Sequence, residues 1–149
     1  MTVAAAWLEY HVTAQRDWAL RVYADGRVDE YSDERLEFVD GDFRPVALPL
    51  EWRRLTRLTA PELGQLRDMV RQLDFFELPE RLDAATDVLD GAAIAWTIEL
   101  DGRRHRVSGR GPEAGRHPEL EALRVTLERM TAEALQRDAA GSTDAAAVE

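Results

Sequence analysis

The six-residue run DFFELP, residues 74–79, constrains the fold of this 149-residue chain more than any other segment. Three large apolar side chains, Phe75, Phe76 and Leu78, occupy four consecutive positions, and Pro79 follows them directly. Proline has no backbone N–H and therefore cannot continue a helix from the residues before it. We expect the run to follow the end of a helix and to fold back onto a β-sheet, with its apolar side chains in the core.

The segment before this run has the signals of an amphipathic helix. Thr59 can serve as the N-cap, Glu62 completes a capping box, and Pro61 is tolerated in the first turn. The apolar residues that recur at helical spacing are Leu63, Leu66, Val70 and Leu73. The sequence therefore predicts a helix over about residues 60–73.

Strand signals precede this helix. Apolar and polar residues alternate over 7–13 and over 18–23, and a third strand-like segment covers 28–32. Asp25-Gly26 lies between the second and third segments and predicts a two-residue hairpin turn.

The same strand signals continue towards the helix. Residues 36–39 extend the third strand, and Asp40-Gly41 predicts a second turn. Residues 45–49 begin and end with proline, which fits badly in a central strand, so they are predicted as a loop. A further short strand is expected at about 52–58.

A second hairpin is predicted after the helix. Residues 93–100 and 103–108 flank Asp101-Gly102, and a two-residue turn would pair Leu100 with Arg103 and Trp96 with Val107. This register gives one apolar face, formed by Trp96, Ile98, Leu100, His105 and Val107.

The last predicted helix covers residues 118–137. Its apolar positions are Leu120, Leu123, Leu127, Met130 and Ala134. Arg124–Glu128 and Glu133–Arg137 are spaced as i,i+4 ion pairs. The remaining residues are mostly Ala, Gly, Ser, Thr and Asp and predict a disordered tail over 138–149. The sequence thus predicts a single α+β domain over 1–137, in which an antiparallel sheet of five to six strands packs against two helices.

Composition limits the functions that this chain can have. The formal net charge is −10, which disfavours binding to nucleic acid or to an anionic membrane. All 19 basic residues are arginine, and Lys, Asn and Cys are absent, a usage typical of a GC-rich bacterial genome. Without Cys or Lys, the chain has no thiolate nucleophile, no disulfide and no Schiff-base lysine. A salt-adapted acidic surface is the alternative explanation for the charge. No secretory signal and no apolar segment of membrane-spanning length is apparent, so a cytoplasmic protein is expected.

No residue pattern indicates catalysis or a resident cofactor. His105 lies on the apolar face of the predicted hairpin and His117 precedes Pro118, which favours structural roles for both. No metal-binding histidine spacing exists, no serine lies in a nucleophile elbow, and the acidic residues of the loop 83–90 do not match a calcium loop. We therefore expect no enzyme activity, no catalytic residue, no cofactor and no metal.

Two features leave binding functions open. The glycine-rich loop 109–117 precedes a helix and carries Arg110 and Arg116, as an anion-binding loop would, although Pro112 and Pro118 remove backbone donors. Residues 103–117 carry a local net charge of +4 and residues 25–42 one of −6. Either adjacent strands pair these charges within the sheet, or the charges form a polarised surface that selects a partner. The candidate interaction residues are Arg103, Arg104, Arg106, Arg110 and Arg116, with Trp7 and Trp52 as further candidates.

The order of motifs resembles that of a group of small bacterial α+β domains. The motifs are the DG turn near Tyr23, the F-F-x-L-P element at 75–79, the hairpin around Asp101-Gly102 and the helix opened by Pro118. Emfourin, a proteinaceous inhibitor of thermolysin-type metalloproteases, is similar in layout, as are domains of bacterial envelope proteins. A single Gly26 stands where emfourin-like sequences carry paired glycines, and the cysteine-containing opening of the envelope relatives is absent. The resemblance implies the fold and a protein-interaction or regulatory role of the inhibitor kind; a small-molecule or anion-binding domain is the alternative.

Overall fold

The computed structural model describes residues 5–13, 17–82, 93–110 and 117–148. Along the chain the elements are β1 (Ala6–Thr13), β2 (Asp17–Tyr23), β3 (Arg27–Val39), β4 (Asp42–Arg57), α1 (Ala60–Gln72), a single 3₁₀ turn (Phe75–Glu77), β5 (Ala93–Leu100), β6 (Arg103–Arg110) and α2 (Pro118–Val148). The predicted α+β fold is confirmed, because the six strands form one antiparallel sheet beside two helices.

The strand order is β4-β3-β2-β1-β5-β6, so β4 and β6 are the two edges of the sheet. The hairpins β1–β2, β2–β3, β3–β4 and β5–β6 join neighbours in sequence, whereas the pairing of β1 with β5 joins distant parts of the chain. In that pairing Leu8 lies opposite Ile98, and Tyr10 lies opposite Trp96.

The hydrophobic core lies on the one face of the sheet that the helices cover. Alternate strand residues such as Leu8, Leu20 and Ile98 share a single buried cluster with the apolar residues of both helices. The predicted apolar positions of α2 are all buried: Leu120, Leu123, Leu127, Met130 and Ala134.

The DFFELP run joins α1 to the sheet, as the sequence predicts. Helix α1 ends at Gln72, Asp74 takes a left-handed conformation with φ of 53°, and the 3₁₀ turn follows. The Phe75 ring is fully buried and contacts the His105 ring edge-on, with 5.6 Å between ring centroids. Phe76 and Leu78 are only partly buried and pack against the margin of the core.

The capping box of α1 and the register of the β5–β6 hairpin are also confirmed. The Thr59 backbone N–H donates to Glu62 Oε1 at 2.8 Å, and the Glu62 N–H donates to Thr59 Oγ1 at 3.3 Å. Leu100 lies opposite Arg103 and Trp96 opposite Val107 across the two-residue turn.

The hairpin turn predicted between β2 and β3 is present, but its predicted length of two residues is wrong. Three residues, Ala24, Asp25 and Gly26, connect the strands, and of these only Gly26 has a positive φ, of 96°. The Gly26 N–H donates to the Tyr23 carbonyl at 2.9 Å. A glycine with positive φ in the last position of a three-residue connection is the usual solution for such a loop.

The loop predicted at residues 45–49 is also wrong, because these residues belong to β4. Strand β4 includes Pro45 and Pro49. Leu36 of β3 lies opposite Pro45, and the register with β3 shifts between Ala47 and Glu51, around Pro49. Proline is tolerated here because β4 is an edge strand, which has one side without a neighbouring strand.

Helix α2 continues beyond the predicted end at residue 137 and reaches Val148. Alanine, which is frequent from residue 139 onward, has the highest intrinsic helix propensity, so a composition typical of disorder is also compatible with helix. Before this extension, Arg137 contacts Glu62 of α1 at 3.1 Å, and Glu133 pairs with Arg129. The sequence predicts that Glu133 and Arg137 pair with each other, but in the described structure each pairs with another residue instead. The division into a domain and a tail stays a prediction.

Candidate interaction surface

Strand alternation fixes which side chains form the sheet face opposite the helices, here called the outer face. The strand register aligns one row of residues across all six strands: Trp52, Tyr31, Ala19, His11, Ala95 and Ser108. The next row across the sheet is Arg54, Asp29, Arg21, Glu9, Thr97 and Arg106. Charges alternate along this second row from β4 to β1, so neighbouring strands attract one another there.

Several charged residues on the β2–β4 half of the outer face contact one another or an aromatic ring. The Arg21 guanidinium donates to Glu9 at 3.2 Å and lies over the Trp52 ring, 3.9 Å from its centroid. Arg27 lies over the Tyr23 ring at 3.8 Å, a cation–π contact on the same half. The Trp52 ring is thus partly covered by Arg21, and Trp7 is buried, with 7% of its surface exposed.

Two acidic residues of the segment 25–42 lie close to arginines of strands β3 and β4. Asp25 lies 3.8 Å from Arg57, and Asp29 lies 3.5 Å from Arg27 and opposite Arg54. The Arg27 backbone N–H holds the pKa of Asp25 below its ordinary value. The basic strand β6 lies at the opposite edge of the sheet, so residues 103–110 do not lie beside the segment 25–42.

The structure divides the predicted arginine cluster between the two faces of the sheet. Arg103 lies on the helix side, where it contacts Glu77 at 3.2 Å and the Phe76 ring at 4.8 Å. Arg104 and Arg106 project from the outer face, are exposed, and form no ion pair with any residue that the structure describes. Arg110 is the last residue of β6, and its side chain is not among the described parts of the structure. Arg116 lies outside the described residues.

The three histidines occupy three different environments. His105 Nε2 lies 2.7 Å from the Leu78 carbonyl oxygen, and His117 Nδ1 accepts a hydrogen bond from the Leu120 N–H at 3.2 Å. Both contacts are of the structural kind that the sequence predicts, and the absence of a catalytic role stays a prediction. His11 lies on the outer face, and its Nε2 is buried without a hydrogen-bond partner among the described residues. Because Leu8 and Tyr10 of β1 lie in the core, alternation places His11 on the outer face. This alternation is visible in the sequence and could have predicted the position of His11.

Three of the depressions on the described surface are large enough to hold a small molecule or a side chain of a partner. The first, about 260 Å³ in volume, lies between β1, β5 and β6 and is bordered by His11 and Arg106. The second, about 330 Å³, is lined on the outer face by residues of both charges that include Glu9, Glu99 and Arg104. The third, about 320 Å³, lies between α1 and α2.

On the helix side the titratable groups contribute to packing. Burial raises the pKa of Tyr10 to about 12, and the Arg124 guanidinium nearby partly offsets this effect. A side-chain hydrogen bond from Arg124 holds the pKa of Glu121 below its ordinary value.

The described residues contain no cluster of three or more His, Asp or Glu side chains placed to hold a metal ion. Ser32 donates to Glu30 and Ser108 to the Glu80 carbonyl, while the loop acids Asp83, Asp87 and Asp90 lie outside the described residues. Within the part of the chain that the structure covers, no helix has the length and apolar character needed to cross a bilayer.

The arrangement that remains is an outer face with paired charges at one end and, on the last strand β6, two arginines without an ion pair among the described residues. A comparison with protein families, curated proteins and solved structures finds no match for this chain.

Proposed function

We propose that this chain is a non-enzymatic interaction domain that recognises a protein partner through the β6 end of its outer face. The observation that carries the proposal is the contrast between two sets of arginines on this face. Arg21 and Arg27 are engaged by a carboxylate and an aromatic ring, whereas Arg104 and Arg106 are exposed and unpaired in the described structure.

Unpaired arginines on a chain of net charge −10 form a local positive site in a negative field. Such a site favours a partner with a compact acidic patch over one that is acidic throughout, because overall like charge slows the encounter. Arginine also matches carboxylates through its planar fork of N–H donors. The partner that we propose is therefore a protein with a local carboxylate cluster.

Capture of partners from a lysate of the source organism tests this proposal. Wild-type bait is compared with an Arg104→Glu/Arg106→Glu double variant and with a matched Arg44→Glu/Arg129→Glu control, which reverses two exposed arginines elsewhere. We expect the first variant to lose a reproducible partner that the control retains, with both variants folded by circular dichroism. Identical partner sets for all three baits, or no reproducible partner for any, would overturn the proposal.

An inhibitor of thermolysin-type metalloproteases is the narrower form of this proposal, and the similarity of layout to emfourin supports it. The test is hydrolysis of a peptide substrate by purified thermolysin at increasing concentrations of this protein. Stoichiometric inhibition would support this form. Undiminished hydrolysis at a hundredfold molar excess of this protein would remove it and leave the wider proposal standing. A cytoplasmic setting in a GC-rich bacterium, suggested by the arginine-rich, cysteine-free composition, belongs to the same proposal.

A further inference from the structure

The depression between β1, β5 and β6 has a floor of small residues. Ala93 and Ala95 of β5 and Ser108 and Gly109 of β6 line it, and in the register His11 lies beside Ala95 and Ala95 beside Ser108. Small side chains on adjacent strands leave a hollow at this end of the outer face. The hollow measures about 260 Å³, slightly below the range of about 300–1,000 Å³ typical of pockets for drug-sized ligands.

The rim of this hollow is cationic and polar. Arg106, Arg81, His11 and Thr13 border it, and the described residues that line it include no carboxylate. The nearest acidic residue on the same face of β1 is Glu9, which is engaged by Arg21 at 3.2 Å. Arg106 therefore keeps its donors available on the hollow side of the face.

His11 supplies a second, independent observation. Its Nε2 is buried without a hydrogen-bond partner in the described part of the chain, although nearly all buried polar atoms in folded proteins are paired. Leaving such an atom unpaired costs stability, so a group that occupies the hollow and bonds to it would be favoured.

We propose that this hollow binds a small free oxyanion, of the phosphate or carboxylate class, held between Arg106 and His11. Arg106 offers the fork of N–H donors that matches two oxygens of such a group, and His11 Nε2 offers one further contact. The volume suits one small anion rather than a nucleotide. This site shares Arg106 with the protein-contact surface of the proposed function, but it also needs His11 and does not need Arg104.

An NMR titration of the imidazole signals tests the proposal, since the chain has only three histidines. Inorganic phosphate and acetate are added in separate titrations at constant ionic strength. We expect saturable shifts of the His11 signals, while those of His105 and His117 stay in place. The titration with the lower dissociation constant identifies whether phosphate or carboxylate is the better ligand.

Two variants and a matched control sharpen the result. Arg106→Gln should weaken binding about tenfold or more, the usual effect of losing one charge-assisted contact, whereas Arg104→Gln, on the same strand and face but outside the hollow, should not. Because His11→Gln removes the observed signal, its binding is followed through the backbone amide of Ser108, and it too should be weakened. The proposal is overturned if His11 does not shift with either anion, if all three histidines shift together without saturation, or if Arg104→Gln weakens binding as much as Arg106→Gln.

Discussion

Phe75 and Phe76 are adjacent and chemically identical, yet the structure gives them different energetic weight. Phe75 is fully buried against His105, whereas Phe76 is partly exposed beneath the Arg103 guanidinium. The sequence could predict that the doublet contacts the core but not which ring is enclosed. That depends on the left-handed backbone at Asp74 and on the 3₁₀ turn, which orient the two side chains.

Replacing each ring by alanine separates the two environments. Phe75→Ala should lower the free energy of unfolding by about 3–5 kcal/mol, because it leaves a cavity in the core. Phe76→Ala should cost only about 1–2 kcal/mol, from partial burial and a cation–π contact. Urea unfolding of both variants measures the difference, and equal losses would contradict this assignment.

Gly26 carries a constraint that its neighbours in the turn do not. Its φ is 96°, and a Cβ atom at this position would lie 2.3 Å from the Leu58 carbonyl oxygen. Gly26→Ala should therefore cost about 3 kcal/mol or more, combining backbone strain with a backbone clash. Gly41, with φ of 83° and open space around its Cβ position, is the matched control. Gly41→Ala should cost about 1–2 kcal/mol; a smaller loss at Gly26 than at Gly41 would refute the role of the Leu58 contact.

At the scale of elements, Glu62 connects the start of α1 to α2 as well as capping its own helix. Burial would raise the pKa of Glu62, but hydrogen bonds from the Thr59 backbone and hydroxyl and from Arg137 together hold it below its ordinary value of 4.5. A carboxyl whose pKa is lowered in the folded state stabilises the fold above its unfolded pKa. That stability is lost as the pH falls through the folded pKa.

Glu62→Gln tests this connection, because glutamine keeps the capping box and removes the charge. The variant should be less stable than the wild type at pH 7, and the two should converge as the pH falls from about 5 towards 3. Arg137→Gln should show part of the same convergence. Unfolding free energies measured across this pH range check the expectation, and a stability difference that does not change with pH would contradict it.

Features that depend on residues close together in the chain could be predicted from the sequence. The capping box, the apolar spacing of α2 and the register around Asp101-Gly102 depend only on residues close in the chain. The extent of β4 could not be predicted, because the tolerance of Pro45 and Pro49 depends on β4 being an edge strand. That position follows from the pairing of β1 with β5, which no local pattern specifies.

At the scale of the whole molecule, the same long-range pairing determines the candidate surface. It places β6 at one edge and the acidic segment of β3 towards the other, so the arginines of β6 do not pair with the acidic residues of β3. Alternation alone could have separated Arg103 from Arg104 and Arg106. The hollow beside His11 could not have been foreseen, because it requires β1, β5 and β6 to be aligned.

In the proposed function, Arg104 and Arg106 serve recognition and contribute little to folding. The most direct measurement is the free energy of unfolding of an Arg104→Gln/Arg106→Gln variant, in which glutamine avoids a like-charge pair with Glu99 across the strands. We predict a value within about 0.5 kcal/mol of the wild type, as for surface residues without partners. A loss of about 2 kcal/mol or more would show that these arginines hold the sheet together and would contradict the account.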